Sequence, residues 1–455
     1  MKRWLVEGRI GRGAYAVAGL LLFGVKHNLD RVVATALFGK RWGPFNYLVP
    51  PEHGLELGRL SADDKAFFLT LLWLALPFVA AGVALTLARL RSAGLPPALA
   101  VVFFIPFVNL IFFVAMSLVP EKVAADAPHL PRSGGRLDRF IPKNPIASAA
   151  LSLLVTVPVG LLSLLVGVDV FARYGWGVLV GLPFAMGLVS VLIYGYHEPR
   201  PIGPSLLVAA LSPIFLAVLL MGIAIEGVVC LAMAAPLFEA LALLGGLVGY
   251  VLQKRPQLTP SPALVLAIAA TAPLLMGAEH ALPPEVPLFE VRTEVEIAAP
   301  PESVWRNVVA FSELPAPTEW LFRSGIAYPM RATISGRGVG AVRHCIFSTG
   351  AFVEPITVWD EPRRLAFSVS AQPDPMQEWT PYRDVHPAHL DYLRSERGEF
   401  RLTPLPGGGT RLVGTTWYRH AIFPVSYWRP LSDAIIHRIH ARVLEHIKRE
   451  SEAAR

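Results

Sequence analysis

Long apolar runs separated by short polar stretches dominate the first 280 residues. Eight runs stand out, at residues 14–38, 67–87, 95–119, 145–168, 176–196, 205–225, 227–252 and 262–277. Each is long enough, or nearly so, to cross a hydrocarbon core of about 30 Å as a helix. The pattern therefore predicts a polytopic α-helical membrane domain.

Four of the charged side chains in or between these runs are candidate polar sites within the membrane. Lys26 and Asp30 are four residues apart, so they share a helix face and can form an ion pair. Glu226 separates two runs, which favours a turn at the membrane interface. Glu239 lies in the middle of a run, where a carboxylate either contacts a proton or polar headgroup or makes a structural hydrogen bond.

The run at 95–119 contains Pro106 and Asn109, which leaves two interpretations open. It forms either a full span, for eight spans in all, or a re-entrant hairpin, for seven. The hairpin collects most Lys and Arg of the short loops on the side of the N-terminus, as the positive-inside rule requires. That arrangement places the C-terminal part of the chain outside the cytoplasm.

Two basic pieces flank the first spans: Gly8-Arg9-Ile10-Gly11-Arg12 and Leu90-Arg91-Ser92-Ala93-Gly94. Residues 8–120 thereby resemble the YhaH-like bacterial inner-membrane family, although Arg91-Ser92 stands where that family has a His-Asp pair. The resemblance implies an inner-membrane location and no known chemistry. We expect a membrane domain at 1–120, a polar linker at 121–144 and a second membrane region at 145–280.

The pattern changes to a period of two residues after position 286. Apolar residues alternate with charged residues from Val291 to Ile297, which predicts a half-buried strand, and Pro300-Pro301 then favours the start of a helix. Alternating stretches separated by turn residues predict six more strands, at 332–335, 341–348, 353–359, 365–370, 398–404 and 410–418. Apolar residues at helical spacing over 431–447 predict a long final helix.

The stretch Val295-Glu296-Ile297-Ala298-Ala299-Pro300-Pro301-Glu302-Ser303-Val304-Trp305 resembles the entry of the START-like, or SRPBCC, superfamily, which includes polyketide cyclases, dehydrases and lipid transport proteins. The resemblance covers residues 286–450. It implies an α+β helix-grip fold, in which a curved antiparallel sheet wraps around a long C-terminal helix. It also implies an apolar cavity between the sheet and that helix.

The predicted cavity residues come from the strands, an aromatic and proline-rich insertion at 375–394, and the last helix. Alternation along residues 343–348 sends either His344 with Ile346 or Cys345 with Phe347 to one face, and we expect the first pair to line the cavity. The full set is His344, Ile346, Glu354, Leu365, Phe367, Trp379, Phe400, Leu402, Leu412, Ile435 and Ile439. The insertion is suited to a lid, and His344 and His386 are the candidate acid/base residues.

Charge and motifs exclude several other classes of function. The formal net charge is +7, and the Lys/Arg and Asp/Glu residues of 283–455 balance, so the whole basic excess lies in the membrane part. We therefore expect no nucleic-acid partner. Asp433, His437 and His440 share a helix face, but such residues are more often structural, and we predict no metal site and no cofactor.

Three hypotheses about function follow. The first is a membrane-anchored protein that binds or transfers a small hydrophobic ligand, such as a lipid or an isoprenoid, with membrane lipid as its other partner. The second is a membrane-tethered enzyme of the cyclase or dehydrase type. The third is a transporter whose soluble domain is regulatory, and the sequence leaves the oligomeric state open.

Overall fold

The computed structural model describes residues 8–47, 61–104, 108–119, 121, 140–167, 175–254, 274, 276–281, 286–380 and 392–453. The chain divides into two compact units. One comprises Met1–Val49, His53–Ile223 and Leu231–Glu285, and the other comprises Pro50–Glu52, Ala224–Cys230 and Val286–Arg455. We call them the N-terminal unit and the C-terminal domain.

The described residues of the N-terminal unit are mainly helical. The α-helices are α1 Arg12–Phe38, α2 Ala62–Ala93, α3 Val108–Leu118, α4 Pro145–Leu165, α5 Leu182–Tyr194, α6 Ile202–Gly222 and α7 Val228–Gln253. Short 3-10 helices cover Pro44–Tyr47 and Pro97–Phe104, and a π-helical turn, Gly177–Gly181, leads into α5. Within the described ranges, five helices are long and apolar enough to cross a membrane, namely α2, α4, Gly177–Tyr194, α6 and α7. The prediction of a polytopic α-helical membrane region is confirmed.

Three of the eight predicted runs are not among these five helices. The described part of the run at 95–119 consists of Pro97–Phe104 and α3, and α3 covers only about 16 Å, so the choice between a full span and a re-entrant hairpin stays open. Helix α1 is long enough, but polar residues around Lys26 and Asp30 lower its hydropathy. Most of the predicted span at 262–277 lies outside the described residues.

Glycine allows two helices of the N-terminal unit to touch through their backbones. Every residue of the segment Gly177–Tyr194 is buried. A Cβ atom added at Gly187 would lie 1.9 Å from the carbonyl oxygen of Ala242 in α7, and one added at Gly245 would lie 2.1 Å from that of Phe184 in α5. Small residues at such crossings are a common means of packing membrane helices.

The C-terminal domain is a seven-stranded antiparallel sheet with a long last helix. Its elements are β1 Leu288–Ile297, α8 Pro301–Val309, α9 Trp320–Arg323, β2 Pro329–Ser335, β3 Val342–Phe347, β4 Gly350–Asp360, β5 Arg364–Ser368, β6 Leu393–Pro404, β7 Thr410–His420 and α10 Val425–Ala453. The strand order is β1-β7-β6-β5-β4-β3-β2. The sheet curls into a half-barrel and packs on α10, which confirms the predicted helix-grip fold.

The local sequence explains the entry to this domain. In β1, Phe289, Val291 and Ile297 are buried, whereas the intervening charged residues face outward. Pro301 occupies the first turn of α8, and Glu302 follows where a carboxylate suits the helix dipole. The buried face of α8 then packs into the main core with the inner face of the sheet.

Candidate ligand cavity

A cavity of about 120 Å³ lies between the inner face of the sheet and helix α10. Most of its wall is apolar. The apolar lining side chains are Phe311, Phe347, Phe352, Phe367, Val369 and Phe400 from the sheet side, and Ile436, Ile439, Val443 and Leu444 from α10. Arg343, Cys345, Glu354, Thr416 and His440 are polar groups of the wall.

Two glycines lie on the inner face of the sheet, and one of them, Gly414, leaves room for the cavity. Gly414 in β7 contributes no side chain, and a Cβ atom built there would lie 3.6 Å from both Leu444 and Phe400, in ordinary van der Waals contact. At Gly398 in β6 the same atom would lie 2.5 Å from the ring of Phe367, which already fills that position. Gly414 is therefore the position from which a larger side chain can fill the cavity.

An ion pair between neighbouring strands forms part of the wall. Arg343 of β3 is directly opposite Glu354 of β4, and its guanidinium donates to the Glu354 carboxylate. The two residues are 1% and 6% exposed. Burial raises the pKa of Glu354 and the guanidinium opposes that rise, so Arg343 is what stabilises the ionised carboxylate.

Aromatic rings enclose the same guanidinium. Its carbon lies 5.5 Å from the ring centres of Phe311 and Phe400 and 5.7 Å from that of Phe367, within the range of cation–π attraction. Arg343 Nε also donates to the carbonyl of Val309 at 3.2 Å. These contacts hold the side chain in place beside the cavity.

Cys345, the next inward residue of β3, carries a thiol that stays protonated. Burial raises its pKa to about 12, and the adjacent Glu354 carboxylate adds to the rise. Because the thiolate is the reactive form of cysteine, this residue is not an activated nucleophile near neutral pH.

His440 presents the polar side of α10 to the cavity. Its Nε2 is 2.7 Å from the hydroxyl of Thr416, and its Nδ1 is 3.2 Å from that of Thr293, which is also 2.8 Å from Nδ1 of His437. Burial, followed by the nearby His437, lowers the pKa of His440 to about 4. The imidazole is therefore neutral near pH 7 and acts as a hydrogen-bonding group.

The lowered pKa of His440 predicts that the C-terminal domain loses stability in mild acid. Above about pH 6.5 the ring is neutral in both states, whereas between about 6.5 and 4 the unfolded chain binds a proton that the folded chain does not. We expect the free energy of unfolding to fall by about 3 kcal/mol across that window because of this residue. Urea titration with pulse proteolysis at several pH values measures it. The His440→Gln variant should show a shallower pH dependence, and equal pH dependence in both proteins would contradict the assignment.

Four of the predicted cavity residues line the cavity, and four others lie elsewhere in the domain. Glu354, Phe367, Phe400 and Ile439 are part of the wall. The other four are the buried core residues Leu365, Leu402 and Leu412 and the half-buried Ile435. The helix turns Ile436, rather than its neighbour Ile435, toward the cavity.

The prediction that His344 and Ile346 face the cavity is wrong. In β3, Arg343, Cys345 and Phe347 are buried on the inner face, so the two intervening side chains point to the opposite side. The pairing of Arg343 with Glu354 fixes this choice, since a one-residue shift would expose the ion pair and bury His344. His344 therefore cannot act as an acid or base inside the cavity.

The structure describes only part of the insertion at 375–394 that is predicted to form a lid. Trp379 is 56% exposed and is not part of the cavity wall. His386, the other candidate acid/base residue, lies outside the described residues. The role of the insertion as a lid stays a prediction.

The sequence does not indicate two groups of this site. A charged residue such as Arg343 seldom faces a core, and a glycine in a strand, such as Gly414, gives no apolar signal. For His440 the sequence favours a structural role over a metal ligand, without placing it at the cavity. Its spacing with His437 was the available signal, and among the described residues no group of three or more His, Cys, Asp or Glu side chains is arranged to hold a metal ion.

The predicted polar sites of the membrane region have distinct surroundings. Lys26 forms an ion pair with the fully buried Asp30, which also accepts a hydrogen bond from Tyr47 at 2.5 Å. Glu226 is buried in the turn between α6 and α7, and Glu239 is half-buried within α7. Their roles in function stay predictions.

The two basic pieces near the first spans contact each other. The backbone N–H of Ile10 donates to Ser92 Oγ at 2.7 Å, and Arg91 Nε donates to the carbonyl of Gly8 at 3.0 Å. Ser92 thus uses its hydroxyl at the position where the YhaH-like pattern has its His-Asp pair. Membership of that family is not tested by this contact and stays a prediction.

Two of the solved structures that are similar to part of this chain have low sequence identity and low TM-scores. Norcoclaurine synthase from Thalictrum flavum is 14% identical, with 38% of this chain and 98% of that chain covered at a TM-score of 0.25. The ZhuI aromatase/cyclase from Streptomyces sp. R1128 is 18% identical, with 36% and 94% covered at a TM-score of 0.23. TM-scores this low give no information about the function of this chain. No curated protein matches the chain.

A family match agrees with the predicted superfamily of the C-terminal part. Residues 289–452 match the family described as polyketide cyclase / dehydrase and lipid transport. The match begins in β1 and ends in α10, so it spans the whole sheet and the helix that it grips. Residues 289–452 are thus similar to the polyketide cyclase / dehydrase and lipid transport family, and they follow a helical N-terminal unit whose helices are suited to a membrane.

Proposed function

We propose that the C-terminal domain binds a small hydrophobic ligand in the cavity beside α10, and that the N-terminal helices anchor it in a membrane. One observation carries the proposal: the cavity wall is mostly aromatic and aliphatic, with a few polar groups held in fixed positions. This composition is typical of small-molecule sites. The family match supports the same class of ligand.

The size of the cavity limits what it can hold. Its volume of about 120 Å³ is below the roughly 300–1,000 Å³ of common ligand pockets. A cavity of about 150 Å³ holds benzene. The cavity therefore suits a ligand, or part of a ligand, built on a single ring with small substituents, and a complete lipid or isoprenoid requires α10 or the insertion to move outward.

The same wall favours binding over the cyclase or dehydrase hypothesis. A general acid or base works best with a pKa near the working pH. The pKa of His440 is about 4 and that of Cys345 is about 12, while Glu354 is held in its pair with Arg343. The membrane anchor suits a binding protein, because it keeps the domain where hydrophobic molecules are concentrated. The bacterial inner membrane and an outward-facing C-terminal domain stay predictions, as does the transporter hypothesis.

Filling the cavity from Gly414 tests the proposal. The probe is 4-fluorobenzyl alcohol, followed by fluorine NMR with the full-length protein in nanodiscs of zwitterionic lipid. We expect saturable binding to the wild-type protein above that of empty nanodiscs. Gly414→Phe should weaken it at least tenfold, because the ring occupies the space between Leu444 and Phe400.

Gly414→Ala is the matched control, since its Cβ atom fits at 3.6 Å and should change affinity by less than about threefold. Unchanged proteolytic stability of the Phe variant shows that the domain is folded. The proposal fails if the wild-type protein shows no saturable binding, or if the Phe variant binds as well as the wild type.

A further inference from the structure

The titratable groups that border the cavity divide into two sets. The side chains of Arg397 and Glu399 lie on the outer face of the sheet, where Arg397 stacks 4.6 Å from the ring centre of Trp417 and Glu399 accepts from Arg364 at 2.7 Å. The groups that face inward are Arg343, Glu354, Cys345 and His440. The outer pair therefore does not set the charge that a ligand meets.

The inward groups leave no net charge for a ligand to neutralise. Arg343 directs its guanidinium to Glu354, and its Nε is taken by the Val309 carbonyl. The thiol of Cys345 keeps its proton and the imidazole of His440 is unprotonated, so both groups are neutral. One positive and one negative charge, already in contact, are thus the only full charges on the inner wall among the described residues.

The polar contact that the cavity offers a ligand beside α10 is neutral. Thr416 and His440 both border the cavity and share a hydrogen bond of 2.7 Å, while Thr293 holds the other ring nitrogen of His440. A hydroxyl group both donates and accepts hydrogen bonds, so this pair can engage one oxygen atom of a ligand. An ionised carboxylate, by contrast, would lose its water and gain no counter-charge, which is costly in a buried site.

We propose that the ligand of this cavity is an uncharged, mainly apolar molecule with one hydroxyl or carbonyl oxygen, and that the Arg343–Glu354 pair excludes carboxylates. This inference rests on the proposed function and narrows it, since free fatty acids and other organic acids are rejected. The Glu354 carboxylate already takes the position beside Arg343 where the carboxylate of a ligand would otherwise bind.

A matched pair of one-ring probes tests the exclusion of carboxylates. The full-length protein in nanodiscs of zwitterionic lipid is titrated with 4-fluorobenzyl alcohol and with 4-fluorobenzoate near neutral pH, and fluorine NMR measures both. We expect benzoate to bind at least tenfold more weakly than the alcohol. Equal or tighter binding of benzoate overturns the inference, whereas failure of both probes to bind overturns the proposed function instead.

Removing Glu354 tests the assigned role of the pair. In Glu354→Ala the carboxylate beside Arg343 is gone, so 4-fluorobenzoate should take its place, bind at least tenfold better than to the wild-type protein and protect the variant from proteolysis. Glu296→Ala is the control, because Glu296 pairs with Arg411 at 2.8 Å on the exposed face and should leave the preference for the alcohol unchanged.

A folded Glu354→Ala protein that gains no affinity for benzoate contradicts this role. If Glu354→Ala does not fold, Glu354→Gln takes its place, because the amide oxygen can still accept from Arg343 but carries no charge. This variant should also bind 4-fluorobenzoate at least tenfold better than the wild-type protein, and a folded Glu354→Gln protein without that gain would overturn the assigned role.

Discussion

The Glu354→Ala variant is expected to lower the free energy of unfolding of the C-terminal domain by about 3–5 kcal/mol. The change leaves the guanidinium of Arg343 buried, with its carboxylate partner removed. Removing one member of a buried ion pair costs far more than the pair itself contributes, because the remaining charge has neither water nor a counter-charge. Urea titration of the full-length protein, with pulse proteolysis of the C-terminal domain, measures the loss.

Two further variants separate this effect from the loss of any ion pair. Glu296→Ala removes the exposed pair with Arg411, which should cost less than about 1 kcal/mol. The Arg343→Met/Glu354→Leu double variant removes both buried charges and should recover most of the stability lost in Glu354→Ala. A loss below about 1 kcal/mol in Glu354→Ala would show that the pair is not buried as described.

The Gly187→Ala variant is expected to disrupt the packing of the N-terminal unit. Its Cβ atom would lie 1.9 Å from the carbonyl oxygen of Ala242, which belongs to backbone and cannot rotate away. Helices α5 and α7 must therefore separate, and we expect a loss of more than about 3 kcal/mol, the upper end for overpacked sites. The apparent melting temperature in detergent measures this loss.

Gly203→Ala is the matched control for that variant. Gly203 lies in the first turn of α6, and a Cβ atom added there meets no atom within 4 Å. Alanine also favours a helix over glycine by about 1 kcal/mol, so this variant should be as stable as the wild-type protein or slightly more stable. Equal melting temperatures for Gly187→Ala and Gly203→Ala would contradict the close crossing of α5 and α7.

The helix-grip fold was predictable because its signals are local. Alternation in β1, the Pro300-Pro301 pair before α8, and the helical spacing of apolar residues in α10 each identify an element from a few neighbouring residues. Six further strands were expected and six are present, although β6 begins at Leu393 rather than at 398.

The inner face of β3 was not predictable from the strand alone. Both of its faces carry one large apolar residue, so alternation has no preference between them. The choice depends on Glu354, which lies across the turn in β4 and makes a buried position possible for Arg343. For the same reason, helical spacing could not distinguish Ile435 from Ile436, because only the position of the sheet decides which of them meets the cavity.

The membrane region shows the limit of hydropathy as a signal. Residues 95–119 are apolar enough for a span, yet the described part of this run forms a 3-10 helix, Pro97–Phe104, and the short α-helix α3, and its sequence contains Pro106. Proline removes a backbone donor and clashes with the preceding turn, effects that a hydropathy average does not contain. The contact between α5 and α7 through Gly187 is equally invisible to hydropathy.

Photo-crosslinking tests most directly whether the cavity of the C-terminal domain is the ligand site. The probe is a benzyl alcohol with a diazirine on its ring, irradiated with the full-length protein in nanodiscs with and without excess 4-fluorobenzyl alcohol, and labelled peptides are mapped by mass spectrometry. The labels that excess alcohol removes should fall on β3, β6 and α10, which line the cavity. If the labels that excess alcohol removes fall only on helices α1 to α7, the result would contradict the proposal and favour a ligand site in the membrane region.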